Sequence, residues 1–235
     1  MKQLKIFINL TRLNRPIGYL LLFWPCSWGL AYAYSFDLNI ENFLSYIILF
    51  FLGAVLMRSA GCIVNDIVDI KLDKKVKRTK SRPLAANLIS VKKSLIYVVG
   101  LCGLAFCILI QFNYLTIILG LSSMFLAFSY PFMKRITYWP QLFLGLTFNW
   151  GIIMAWTSIS NILTIDIFIV YFAAIFWTLG YDTIYGVQDI VDDEIIGVKS
   201  TSIKFKFMLK KFVLVCYSIS MLTFFIFFIN NMNSL

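Results

Sequence analysis

The chain has 235 residues, of which 60% are hydrophobic, 17% aromatic and only 14% charged, and its mean hydropathy of +0.84 excludes an ordinary soluble domain. It contains no histidine, which removes imidazole bases, histidine metal ligands and Ser-His-Asp triads together. The net charge of +10 would suit nucleic acid, but in so apolar a chain an excess of Lys and Arg belongs to the loops of a membrane protein.

Residues 1–16 are basic and polar and precede a long apolar run with no A-x-A-like cleavage site, so that run is read as a first transmembrane helix rather than a cleaved signal. Spanning helices need about 20 apolar residues. About seven stretches qualify: 17–36, 43–64, 94–112, 115–132, 141–159, 165–187 and 212–229. Pro25 and Gly29 are expected to bend the first. An all-α, polytopic transmembrane bundle follows, in one domain covering 1–235, since the length leaves no room for a separate soluble domain. The five cysteines, Cys26, Cys62, Cys102, Cys107 and Cys216, lie in or beside apolar segments without a C-x-x-C pair, which argues for reduced core residues and against zinc or iron–sulfur sites.

The loops orient the bundle. Every Lys and Arg except Arg58 falls in 2–15, 71–93, 134–135 or 199–211, while the opposite connections, 35–42, 111–114 and 158–166, contain none. This positive-inside pattern puts the N-terminus and the connections after the second, fourth and sixth helices on the cytoplasmic side, and no nucleic acid is needed to explain the charge.

Two acidic stretches interrupt the apolar pattern on that side. In 65–84, N-D-I-V-D-I-K-L-D-K-K-V-K-R-T-K-S-R-P-L, Asn65, Asp69 and Asp73 recur every four residues and share one helical face, with Asp66 to one side. In 181–194, Y-D-T-I-Y-G-V-Q-D-I-V-D-D-E, Asp182, Tyr185, Asp189 and Asp193 do the same at spacings of three, four and four. Crowded carboxylates at a membrane edge repel one another and lose hydration, so they need a divalent metal, the neighbouring cations, or both. Oxygen-only ligands suit Mg²⁺, and Arg78, Arg82, Lys134, Arg135 and Lys199 are placed to clamp phosphate charge. Together these features read as a diphosphate site.

N-D-x-x-D-x-x-x-D followed by R-T-x-x-R-P-L, here 65–73 and 78–84, resembles the first signature of the UbiA family of intramembrane prenyltransferases. The stretch at 181–193 with I-G-V-K-S-T at 196–201 is similar to the second signature in its 4-hydroxybenzoate polyprenyltransferase form, and R-L-N-R-P-I-G-Y-L-L-L-F-W-P (12–25) and Y-P-F-M-K-R (130–135) fit the same subgroup. The resemblance implies a central cavity open to lipid, where a polyprenyl diphosphate binds through Mg²⁺ and ionises, and where the ring of 4-hydroxybenzoate attacks ortho to its hydroxyl, as in ubiquinone biosynthesis. It assigns Asn65, Asp69, Asp73, Asp189 and Asp193 to the metals. Arg135, with those four aspartates, is placed in catalysis, and Arg78, Arg82, Lys134, Arg135 and Lys199 on the diphosphate. Asp66, Tyr130, Asp182 and Tyr185 are assigned to the acceptor or to supporting the ligands, and Arg58, alone in an apolar helix, either to the benzoate carboxylate or to pairing with Asp66. The expected setting is a bacterial inner membrane, with polyprenyl diphosphate, 4-hydroxybenzoate and the lipid bilayer as partners. Family members have about nine helices, so the chain reads as a C-terminal truncation in one of three ways: a fragment, a natural short form, or one completed by another subunit. Two other readings stay open: a related transferase using a naphthoate, homogentisate or haem acceptor, and, more distantly, a transporter, whose acids would lie near the bilayer centre rather than at one face.

Overall fold

A computed structural model of the chain describes residues 2–231, and among them there is no β-strand. The first element is one the hydropathy pattern did not suggest: α1 (Lys2–Thr11) is an amphipathic helix of 10 residues lying within the basic N-terminal segment. Such a helix is too short to be stable alone in water. Ile6 and Leu10, one turn apart, supply what it lacks by burying their side chains, at about 1.5–3 kcal/mol each.

Seven long helices follow, at the positions the apolar stretches predict: α2 (Ile17–Tyr34), α3 (Ile40–Val68), α5 (Val91–Leu109), α6 (Tyr114–Ile136), α7 (Pro140–Ser160), α8 (Ile165–Tyr185) and α11 (Leu209–Asn231). Between them lie the short pieces α4 (Ile70–Asp73), a 3₁₀ turn (Gly186–Asp189), α9 (Ile190–Ile196) and α10 (Thr201–Lys204). Six of the seven, with α8 continuing to Ile196, are long and apolar enough to cross a membrane, which makes this an integral membrane protein. The seventh, α2, has 18 residues and runs unbroken through Pro25, but Trp24, Pro25, Ser27, Trp28 and three tyrosines dilute its hydropathy.

The chain forms two compact units. The first takes the residues up to Trp24 together with Ile48–Phe112. Its core joins Ile6 and Leu10 of α1 to Ala60 and Ile63 of α3, Leu84 and Ile89 of the following loop, and Val98 of α5. The basic 74–90 segment is thereby pinned by its own apolar residues.

The second unit takes Pro25–Ile47 and everything from Asn113 onward, with α7 and α8 its most enclosed helices. In lipid, apolar contact alone does little to join helices, and close approach and interhelical hydrogen bonds do more. Both are present. A Cβ on Gly145 would lie 3.1 Å from the Ile175 carbonyl oxygen, so α7 and α8 cross at near backbone contact. The Asn149 amide donates to the carbonyls of Gly145 and Ala174 and to the Thr178 hydroxyl, at 2.8–3.2 Å. Ser220 of α11 donates to the Ala173 carbonyl, and Thr116 of α6 shares a bond with Thr157 of α7.

Candidate active site

In the first unit the acidic stretch is not one continuous helix. α3 ends at Val68, Asp69 takes a non-helical conformation (φ −97°, ψ 5°), and α4 resumes for one turn. The four-residue spacing survives in the backbone, because the Asp69 amide donates to the Asn65 carbonyl at 2.9 Å and the Asp73 amide to the Asp69 carbonyl at 2.8 Å. Asp66, Asp69 and Asp73 are 1%, 1% and 7% exposed. Carboxylates so deeply placed require partners.

Asp66, expected to one side of the column, is instead at the centre of its ion pairs. Arg12 Nη2 donates to Asp66 Oδ1 at 2.6 Å, and Arg82 Nη1 donates to the same oxygen at 3.2 Å and to both oxygens of Asp73 at 3.0 and 2.9 Å. The result is a chain of alternating charge, Arg12–Asp66–Arg82–Asp73. Removing one partner of such a buried pair strands the other, at about 3–5 kcal/mol. Arg12 follows α1 with a left-handed backbone (φ 57°), and a second guanidinium nitrogen lies 3.7 Å from Cys62 Sγ. Burial works against its charge, but Asp66, with smaller help from Cys62 and Asp73, outweighs it and lifts the Arg12 pKa above the ordinary arginine value.

The loop after α4 explains the R-T-x-x-R-P-L segment residue by residue. The buried Thr79 hydroxyl donates to the Asp73 carbonyl at 3.0 Å, Arg82 turns inward to the carboxylates, and Pro83 and Leu84 are buried. Arg78 is exposed, whereas Arg82, also expected on the diphosphate, is engaged with Asp66 and Asp73. Arg58 packs against α2, where a Cβ on Gly18 would lie 3.0 Å from its Nε.

The donors Asn65, Asp69 and Asp73 are all oxygen, and Asp66 Oδ2 is buried with no hydrogen-bond partner, a combination that fits a hard divalent cation. Among the described residues no three His, Cys, Asp or Glu side chains form a ready cage. A metal there would draw on the Asn65 amide and on non-protein oxygens, as Mg²⁺ does.

In the second unit the predicted straight face through Asp182, Tyr185, Asp189 and Asp193 is broken as well. The 3₁₀ turn advances by about 120° per residue instead of 100°, so Asp189 and Asp193 are rotated relative to Asp182 and Tyr185. Asp182, Asp189 and Asp193 are half-buried and Tyr185 is exposed. The turn begins at a close approach: a Cβ on Gly186 would lie 2.5 Å from Ser202 Oγ and 3.4 Å from Gln141 Nε2. Ser202 donates to the Thr183 carbonyl at 2.7 Å, the hydroxyls of Thr183 and Thr201 share a 2.7 Å bond, and Gln141 Oε1 accepts from the Thr201 amide at 2.9 Å. All four side chains are buried.

This latch ties the I-G-V-K-S-T segment to α7 and α8. Gly197 caps α9 in the left-handed conformation (φ 76°), where a side chain would be strained. Lys199 then meets the end of α6, its amide donating to the Lys134 carbonyl at 2.8 Å and its ammonium to the Ile136 carbonyl at 3.1 Å. Lys134 and Lys199 are thus brought together, with Arg135 exposed beside them and Tyr130 half-buried a turn earlier on α6. Sequence reasoning missed Gln141, Thr183 and Ser202. Their signal was the polar residues within or flanking helices otherwise apolar enough for lipid.

The class so defined is a polytopic α-helical membrane protein that gathers its polar chemistry into acidic, cation-bearing turns at helix ends. The chain belongs to the UbiA prenyltransferase family, whose model matches residues 22–235. It is 47% identical over 204 residues to the mitochondrial 4-hydroxybenzoate polyprenyltransferase of Caenorhabditis elegans, covering 86% of this chain and 56% of that one. It is 46% identical over 201 residues to the 4-hydroxybenzoate octaprenyltransferase of Vibrio atlanticus, covering 86% of this chain and 69% of the relative. The chain therefore spans little more than half the length of the mitochondrial relative. Its fold is similar to that of a UbiA homolog from Archaeoglobus fulgidus bound to GPP and Mg²⁺, with a TM-score of 0.72 at 17% identity over 93% of this chain and 75% of the other.

Proposed function

We propose that this chain transfers a polyprenyl group from polyprenyl diphosphate to 4-hydroxybenzoate, ortho to the hydroxyl, in ubiquinone biosynthesis. It would work as a single prenyltransferase domain in a bacterial inner membrane, with the N-terminus and both acidic turns on the cytoplasmic side. The observation that carries this reading is the burial of Asp69 and Asp73 where a spanning helix breaks, inside the family's signature, with Asp73 bound to an arginine of that signature. The names of the two relatives support the choice of acceptor.

Asn65, Asp69 and Asp73 hold one Mg²⁺, and Asp189 and Asp193 hold another. When bound, the metal supplies Lewis acidity that draws charge from the departing diphosphate. The chain's own cations do the remainder: Arg78, Arg82, Lys134, Arg135 and Lys199 neutralise phosphate oxygens as the bond to the prenyl carbon breaks. Arg82 also orients the Asp73 carboxylate through both of its oxygens. Arg58 binds the benzoate carboxylate, with Asp66, Tyr130, Asp182 and Tyr185 supporting the acceptor or the ligands, and the polyprenyl tail lies against apolar helix faces open to lipid.

The test is prenyl transfer in membranes containing the chain, supplied with radiolabelled 4-hydroxybenzoate, a polyprenyl diphosphate and Mg²⁺. A lipid-soluble labelled product that vanishes with EDTA is expected. Product formation that persists under chelation would overturn the metal assignment, and absence of product from chain verified in the membrane would overturn the reaction.

A further inference from the structure

Two members of the alternating chain Arg12–Asp66–Arg82–Asp73, Arg12 and Asp66, hold neither metal nor diphosphate in the proposed reaction. Arg12 belongs to neither acidic stretch, standing 54 positions before Asp66 in the sequence. Its place is nevertheless firmly set. Ile6 and Leu10 anchor α1 in the core of the first unit, and the left-handed turn at Arg12 redirects the chain so that the guanidinium reaches Asp66. Asp66 accepts both arginines on one oxygen, Oδ1, and leaves Oδ2 without a partner. Arg82 is shared in turn: a single nitrogen lies 3.2 Å from Asp66 and 2.9 and 3.0 Å from the two oxygens of Asp73.

Two carboxylates thus compete for one guanidinium, and Arg12 decides the contest. At 2.6 Å it is the closer of the two cations on Asp66, so it neutralises that carboxylate and weakens its pull on Arg82. We propose that Arg12 and Asp66 are positioning residues which set how much of Arg82 rests on Asp73, and hence how strongly Asp73 is available to a divalent cation. The inference rests on the proposed metal role of Asp73.

It carries a signature that a merely structural pair does not have. Without Arg12, Asp66 keeps Arg82 as its remaining partner, pulls it from Asp73, and the local positive charge falls; divalent affinity rises. Without the Asp66 carboxylate, Arg82 is left wholly to Asp73 and the local negative charge falls; divalent affinity drops. A pair that only holds the fold together weakens the site in both cases.

The experiment is a Mn²⁺ titration of the full chain purified in mild detergent, reading free Mn²⁺ by electron paramagnetic resonance. An Asp189→Asn/Asp193→Asn background confines the reading to the first acidic turn. Arg12→Gln is expected to tighten Mn²⁺ binding and Asp66→Asn to weaken it, each by about tenfold, the scale of one partly screened neighbouring charge. Arg12→Lys, which keeps the charge, should stay near the parent. Arg12→Gln/Asp66→Asn removes both charges and strands no buried ion, so it keeps the question open to measurement if Arg12→Gln does not fold; it should fall between the parent and Asp66→Asn. Helical circular dichroism and a monodisperse elution profile establish folding for each variant. Shifts of the same sign for Arg12→Gln and Asp66→Asn, or a double variant that binds Mn²⁺ as tightly as the parent or more weakly than Asp66→Asn, overturn the proposal while leaving the prenyl-transfer reading intact. A parent that binds no Mn²⁺ defeats the metal reading and the proposal together.

Discussion

Replacing Gly186 by alanine tests whether the latch beneath the second acidic turn is as tight as its distances imply. The added Cβ would lie 2.5 Å from Ser202 Oγ, and ordinary contact begins near 3.4 Å, so the hydroxyl must retreat by about 0.9 Å. A move of that size breaks its 2.7 Å bond to the Thr183 carbonyl and leaves a buried hydroxyl unsatisfied, at about 1–3 kcal/mol. Alanine returns at most about 1 kcal/mol through its better helical propensity. A net destabilisation of about 1–2 kcal/mol is therefore expected, measurable by denaturant unfolding of the purified chain in detergent followed by circular dichroism. In a Ser202→Ala background the obstructing oxygen is gone and the remaining Ser202 contact, at 3.4 Å from Cβ, is ordinary. There Gly186→Ala should be neutral or mildly stabilising. Equal destabilisation in both backgrounds would refute the argument, because the two residues would then not be coupled through that contact.

Charge-neutral Asp69→Asn or Asp189→Asn should abolish Mg²⁺-dependent prenyl transfer while membrane insertion, followed by protease accessibility of the basic loops, is unchanged; retained activity in both would sink the metal assignment. Gly18→Ala brings a methyl group to 3.0 Å from the Arg58 Nε and displaces the guanidinium. If Arg58 holds the acceptor carboxylate, the KM for 4-hydroxybenzoate rises several-fold and that for the polyprenyl diphosphate does not, whereas equal changes in both would point to packing alone. Thr79→Val removes the bond that ties the basic loop to Asp73, a loss of about 1 kcal/mol that should appear as faster tryptic cleavage between Lys74 and Lys80. Because the Arg12 pKa is raised, the stability its pairing with Asp66 contributes is present throughout the neutral and mildly alkaline range and is lost only above the ordinary arginine value. Unfolding free energy between pH 7 and pH 9 should therefore show no step removed by Arg12→Lys.

The long helices were legible because lipid imposes a simple rule, about 20 apolar residues per crossing, and the chain obeys it with charges gathered in the connections. The short elements were not. α1 is visible only as Ile6 and Leu10 among lysines and polar residues, a pattern whose meaning depends on the core that receives them. The four-residue spacing of Asn65, Asp69 and Asp73 was read correctly as proximity and incorrectly as an unbroken helix, because spacing does not report that Asp69 leaves helical geometry. The same spacing from Tyr185 to Asp189 hid a 3₁₀ turn that packs closely on Ser202, a residue more than ten positions away. Both signatures also look locally complete, so nothing in the acidic stretches announced that Arg12 and Gln141 would bind into them. Pairings across 54 and 60 positions are decided by tertiary packing, which periodicity does not encode.

The 54-residue separation of Arg12 from Asp66 has a counterpart in time. A ribosome adding roughly 5–20 residues per second takes several seconds to travel between the two. During that interval α2 and most of α3 are delivered to the bilayer while the guanidinium waits at the surface without its carboxylate. The ion pair closes only once the end of α3 has emerged, so the first acidic turn is completed late relative to its earliest partner, Arg12. A translational pause between α2 and α3 would lengthen the wait, and so alter the yield of correctly assembled protein without changing a single side chain.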